Sequence, residues 1–273
     1  MDKKHSSRLP LLLIGGLCLC NSLYGQSMST NPPRLYFTAL PGERETRILT
    51  VMNTGKTPLE LGISVGDWDY DPLGNNRMYD AGTLATSAAG WIRIFPSSYL
   101  VLQAGQRENL EISLKVPANT GDSVPVHTAM IFLTQLNLSD AGTARGAAIQ
   151  ISIRSGTKVY HSFFSEETQS LEITDFKKIP PHSKDSIANL ELTLSVNGKR
   201  WVEGDLSSEL LHIESGKKTR LAGVHYYALP GDERLIRLRL PPGLAAGRYT
   251  ATSLVSTGDK DQLKMAELEF ILP

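Results

Sequence analysis

The sequence predicts an all-β protein, two β-sandwiches in tandem behind an export signal. Three observations carry that prediction. After Gln26 the chain is a succession of short β-branched and aromatic runs separated by Gly, Pro, Asn and Asp. No long stretch combines helical periodicity with a capping signal. A polar break, Ser162 to Ser170, interrupts the pattern, and strand-like runs resume beyond it.

Met1 to Gly25 reads as the signal. Lys3, Lys4 and Arg8 precede an apolar run, Leu9 to Cys20, that is too short to span a bilayer. Gly25 suits the residue before cleavage, leaving Gln26 first in the mature chain. Cys18 and Cys20 both fall inside this segment, and the leucine before each departs from a lipobox. The mature protein is therefore expected to have no thiol, no disulfide and no membrane span.

Within residues 26–162 the predicted strands are Arg34 to Leu40, entered through Pro32 and Pro33, then Arg47 to Met52, ended by the turn at Asn53 to Lys56. Leu59 to Tyr70, Trp91 to Phe95, Tyr99 to Leu102 and Asn109 to Val116 follow. Val126 to Leu136 and Ile149 to Tyr160 form the last pair, joined by a polar loop through Ser139 to Gly142. About seven strands in some 130 residues fit one immunoglobulin-like sandwich. Residues 163–273 restart the pattern: Leu171 to Phe176, Ala188 to Val196, Leu206 to Ile213, Arg220 to Tyr227, Leu235 to Leu240, Tyr249 to Val255 and Leu263 to Leu272. Asn197-Gly198 is the strongest short hairpin signal.

Composition narrows function. The 273 residues carry 28 basic and 28 acidic side chains, a balance that argues against a nucleic-acid partner, which calls for a basic surface. Asp67-Trp68-Asp69-Tyr70-Asp71 resembles the start of a calcium loop. Pro72 and Met78 stand where Gly and Glu would be needed, so the segment reads as strand alternation, aspartates on one face and aromatics on the other. His127, His161, His182, His212 and His225 show no metal-ligand spacing. There is no nucleophile elbow, zinc-protease motif or phosphate loop. No enzymatic activity, cofactor or metal is expected.

Two features point to binding instead. Ile149, Ile151 and Ile153 alternate with polar residues, which places three β-branched side chains on one strand face. They either fill the protein's own core or lie on an edge strand that lends them to another protein. Arg34 and Lys158 each sit among apolar neighbours (Leu35, Tyr36, Phe37; Val159, Tyr160), where a carboxylate partner would offset the cost of burying charge.

On these residues the first domain resembles the periplasmic pilus-assembly (fimbrial) chaperones. In that family an arginine on the first strand and a lysine on the last strand of the first domain anchor a subunit's terminal carboxylate. Arg34 in Pro33-Arg34-Leu35-Tyr36-Phe37 matches the arginine, and Lys158, nine residues after Ile149, matches the lysine. Asn53, Trp91, Pro96 and Gly105 are also family-like. The resemblance covers roughly Pro33 to Tyr160, and the second domain is less similar. It implies two immunoglobulin-like domains meeting at a cleft, and capture of pilin-like or surface-protein subunits in the periplasm. Capture would proceed by strand donation through Ile149, Ile151 and Ile153, with Arg34 and Lys158 fixing the register. It also leaves room for an outer-membrane assembly partner. The alternative is a structural or adhesive cell-envelope module whose isoleucine face is its own core.

Overall fold

The computed structural model describes residues 28–137, 139–144, 147–180, 189–258 and 260–273. The export signal and His182 lie outside them, as do the side chains of residues 139–150. Every long element is a strand, and the fold is all-β, two immunoglobulin-like sandwiches in tandem. Among the described residues no helix is long and apolar enough to cross a membrane.

The first sandwich uses β1 (Met28–Asn31), β2 (Arg34–Phe37), β3 (Arg44–Asn53), β4 (Leu59–Tyr70), β5 (Asn76–Tyr79), β6 (Ile92–Phe95), β7 (Tyr99–Leu102), β8 (Arg107–Lys115), β9 (His127–Gln135), β10 (Ser139–Ala144), β11 (Ala147–Ile151) and β12 (Arg154–His161). One sheet runs β1-β3-β8-β6. The other runs β2-β12-β9-β4-β5, with β7 also on β4. The first strand changes sheets at Pro32-Pro33, where two residues without N–H groups interrupt the ladder. Leu49, Val51, Leu61, Leu110, Ile112, Ile131 and Leu133 alternate inward to form the core. β9 is buried on both faces: Ala129, Ile131 and Leu133 face that core, and Met130 and Phe132 join a separate aromatic cluster. Its unbroken apolar run thus reflects two burials.

The second sandwich uses β13 (Leu171–Ile179), β14 (Asn189–Val196), β15 (Val202–His212), β16 (Lys218–Arg220), β17 (Val224–Ala228), β18 (Glu233–Arg239), β19 (Gly247–Thr257) and β20 (Lys260–Leu272). A β13-β14-β18 sheet packs on β16-β15-β19-β20, with β17 also on β15. Leu190, Leu192, Leu194, Leu206, Leu210, Tyr226 and Val255 are central.

Four sequence expectations are corrected. The run Ile149 to Tyr160 is two strands, because the ladder is interrupted at Ser152-Ile153. There Ser152 Oγ donates to the Gln135 carbonyl at 2.7 Å and Gln135 N donates to the Ile153 carbonyl at 2.8 Å. The supposed loop at Ser139 is strand β10, which forms a two-stranded ribbon with β11. Asn197-Gly198 does not close a hairpin: β14 and β15 belong to different sheets, and the N–H groups of both residues donate to the Ser170 carbonyl, at 3.1 and 3.2 Å. A Cβ on Gly198 would lie 2.4 Å from the Thr168 carbonyl, so the glycine answers a close approach of two backbones. Arg220 to Tyr227 divides into β16 and β17, both paired to β15. The aspartates on β4 differ in burial. Asp67 is fully buried and accepts from Ser87 Oγ at 2.6 Å and Leu84 N at 3.0 Å, whereas Asp69 pairs outward with Arg77.

Candidate anion site and docking strand

The sandwiches meet through aromatic side chains. Tyr36 of β2 stacks on Trp201 with centroids 5.1 Å apart and on Tyr160 at 5.3 Å. Trp68, Tyr70, Met130, Phe132 and Leu229 complete the cluster. At its margin the Pro72 carbonyl accepts from Leu235 N at 2.7 Å and from Arg234 at 3.1 Å.

Arg34 and Lys158, 124 positions apart in sequence, are partners across the parallel β2–β12 ladder. Only strand register brings them together. Lys158 Nζ lies 4.2 Å from the Tyr70 ring centroid and 4.3 Å from that of Trp68, and donates to the Tyr70 hydroxyl at 2.9 Å. The Tyr70 and Tyr160 hydroxyls are 3.0 Å apart. The Arg34 guanidinium covers the ring of Tyr227 at 3.8 Å, and its buried Nε has no partner among the described residues. Burial pushes the Lys158 amine down to about 8, helped by the nearby charges of Arg34 and Arg234. Among the described residues no carboxylate lies within ion-pair distance of Arg34, Lys158 or Arg234.

Arg34 and Lys158 open into a hollow of about 560 Å³ that Arg154, Met78, Met130 and Phe132 also line. A second hollow, of about 420 Å³, lies against Tyr36. Glu166, Glu203 and Asp205 line it and outnumber its one arginine, Arg200, so it opposes an anion. The chemistry available beside Lys158 is recognition of a carboxylate by two charged donors, with an aromatic wall that keeps water away.

The three isoleucines are placed differently from one another. Ile149 lies in β11, and its side chain is outside the described residues. Ile151 is 49% exposed, whereas Ile153 packs against the first sandwich's own core. Within the described residues β11 pairs with β10 alone. β12 is an interior strand from Lys158 to His161, with β2 on one side and β9 on the other.

Sequence reasoning missed Arg234, Tyr70, Tyr227 and Trp201 as neighbours of the cations. Three of the four come from the second sandwich, and no spacing in the sequence relates them to Arg34. Tyr160 had a signal, since it is two residues from Lys158 in a strand and therefore on the same face.

No family model matches the chain, and no curated protein matches it in sequence. Solved structures do resemble it in shape. It is similar to the YadV chaperone at 10% identity and a TM-score of 0.48, covering 90% of this chain and 100% of that one. It is similar to a chain of the CsuC–CsuE chaperone–tip adhesion subunit complex from archaic chaperone-usher Csu pili of Acinetobacter baumannii (14%, TM-score 0.46, 89% and 98%). A third likeness is to the Salmonella enterica SafA pilin–SafB chaperone complex (14%, TM-score 0.44, 90% and 96%). At such scores these likenesses fix neither a family nor a function.

Proposed function

We propose that the chain is an exported, periplasmic chaperone that binds pilus or other surface-protein subunits. Its first domain, residues 26–162, does the capturing, and residues 163–273 place Tyr227 against Arg34. A subunit that lacks one strand exposes a groove with unpaired backbone groups. The edge of β11 away from β10 pairs with that groove, and Ile151 enters it. Arg34 and Lys158 hold the subunit's terminal carboxylate and so set the register.

One observation carries this reading: Arg34 and Lys158 converge beside a hollow with Arg234 near them and no carboxylate of the described residues to pair with. The alternative, an envelope module with its own closed core, is favoured at one position, Ile153, which packs inward. Ile151→Asp separates the two. For the chaperone, Tm is unchanged and a subunit co-purifying from the envelope fraction is lost. For the module, Ile151 is a half-exposed surface residue, so the charge changes neither Tm nor what co-purifies. Lys158→Met and Arg34→Met should each weaken capture about ten- to a hundredfold, since a charge-assisted hydrogen bond contributes about 1.5–3 kcal/mol. Retained capture in both variants would overturn the anchor.

A further inference from the structure

The hollow beside Lys158 is longer than a carboxylate requires. Side chains at Arg154, Gly156 and Lys158 share one face of β12, so the Arg154 and Lys158 positions are about 13 Å apart along the strand. Between them the floor is apolar: Met130 and Phe132 from β9 and Met78 from β5. Gly156 lines the middle of the trough, and Met130 packs directly on its backbone: a Cβ there would come within 2.8 Å of Met130 Sδ.

Arg154 closes the far end. Its guanidinium lies 3.7 Å over the ring of Phe132, which leaves the edge of the planar fork free to bind. Asp80 lines the adjoining hollow with Arg154. Even so, among the described residues no carboxylate is within ion-pair distance of Arg154. The trough is thus cationic at both ends, apolar between, and about four strand residues long.

We infer that Arg154 reads a second acidic group on the client, a side-chain carboxylate four residues before the client's last residue. The occupant is an extended C-terminal segment of a subunit. Its terminal carboxylate sits at Arg34 and Lys158, an apolar side chain two residues earlier lies against Met130 midway along the trough, and Asp or Glu two residues earlier again meets Arg154. Charge complementarity at both ends and the two-residue repeat of a strand give this pattern. It rests on the carboxylate-anchor reading proposed above.

The test uses the full mature chain and synthetic ten-residue peptides, with Kd read by fluorescence anisotropy. The parent peptide has a free C-terminus, Leu two residues before the last and Glu four before it. Three relatives carry an amidated terminus, Gln for Glu, or Lys for Glu. Amidation should weaken binding at least tenfold. Gln should weaken it about two- to fivefold, the range of an exposed ion pair, and Lys more. Arg154→Glu should reverse the preference between the Glu and Lys peptides, and Arg154→Gln should flatten it, both with unchanged Tm. If no peptide binds, or amidation has no effect, the anchor reading falls and the Arg154 assignment with it. If amidation weakens binding but the Glu, Gln and Lys peptides bind alike, or Arg154→Gln leaves their order intact, only the Arg154 assignment falls.

Discussion

Lys158 donates to the hydroxyl of Tyr70 at 2.9 Å while Arg34, its partner across the ladder, lies over Tyr227. The lysine is therefore held by the first sandwich and the arginine by the second. Both cations belong to the first sandwich, so a ligand that bridges them sits on that sandwich, with Tyr227 of the second beside it.

If Lys158 anchors a carboxylate as proposed, its titration gives binding a pH dependence. Its free-state value of about 8 means that it is charged at pH 7 and loses its proton as pH rises past that value. A bound carboxylate raises the value again, so above pH 8 binding takes up a proton and Kd weakens up to about tenfold per unit. Below pH 8 this contribution is flat. Lys158→Arg should remove the alkaline limb, and Kd measured from pH 7 to 10 in both proteins checks it.

His127 sets stability at the acid side. It is buried against Trp91, His161 and Phe163, with Nδ1 lacking a partner among the described residues. Burial, then the His161 ring, pushes it down to about 4. His161 is also lowered by burial, opposed by its hydrogen bond to the Ala39 carbonyl and by Glu45. The unfolded chain binds the His127 proton at about 6.5, so stability is full above that pH and falls between 6.5 and 4, by roughly 2–3 kcal/mol. His127→Phe should flatten that part of the curve in urea unfolding at pH 4.5 and 7.5.

Asn53 is fully buried and stitches three segments. Its Nδ2 donates to the carbonyls of Thr57, Leu102 and Gln103 at 2.8–3.2 Å, and its Oδ1 accepts from Gly55 N at 2.9 Å. Asn53→Ala strands those groups and should cost about 2–4 kcal/mol, read as a lower urea midpoint with unchanged slope.

Gly204 on β15 admits no side chain. A Cβ there would lie 1.9 Å from the Ser256 carbonyl, the atom to which the Tyr226 hydroxyl donates at 2.8 Å. Gly204→Ala should separate β15 from β19 and cost about 3 kcal/mol or more, with thermal melting as the measure.

Particular residues show how far the sequence reached. Leu59 to Tyr70 and Tyr99 to Leu102 were legible to the residue, because alternation inside and turn chemistry outside agree. The break before Arg154 was not, because it depends on where Ser152 meets Gln135 across the ladder. Asn197-Gly198 carried the right turn chemistry for the wrong reason: the glycine accommodates the Thr168–Ser170 backbone. Lys158 and Arg34 were identifiable one at a time from charge in apolar surroundings. Their adjacency, and the buried pairing of His127 with His161, needed the register of β12 against its two neighbours.

The aromatic packing has an optical consequence. The chain has three tryptophans. Trp68 lies 4.3 Å from Lys158 Nζ, Trp91 4.4 Å from the His127 ring, and Trp201 5.1 Å from Tyr36 across the sandwich boundary. Indole emission responds to nearby charge and to water, so each ring watches a different event: arrival of an anion, protonation of an imidazole, and parting of the two halves. Variants that keep one indole and carry phenylalanine at the other two would follow these events separately, without any attached dye.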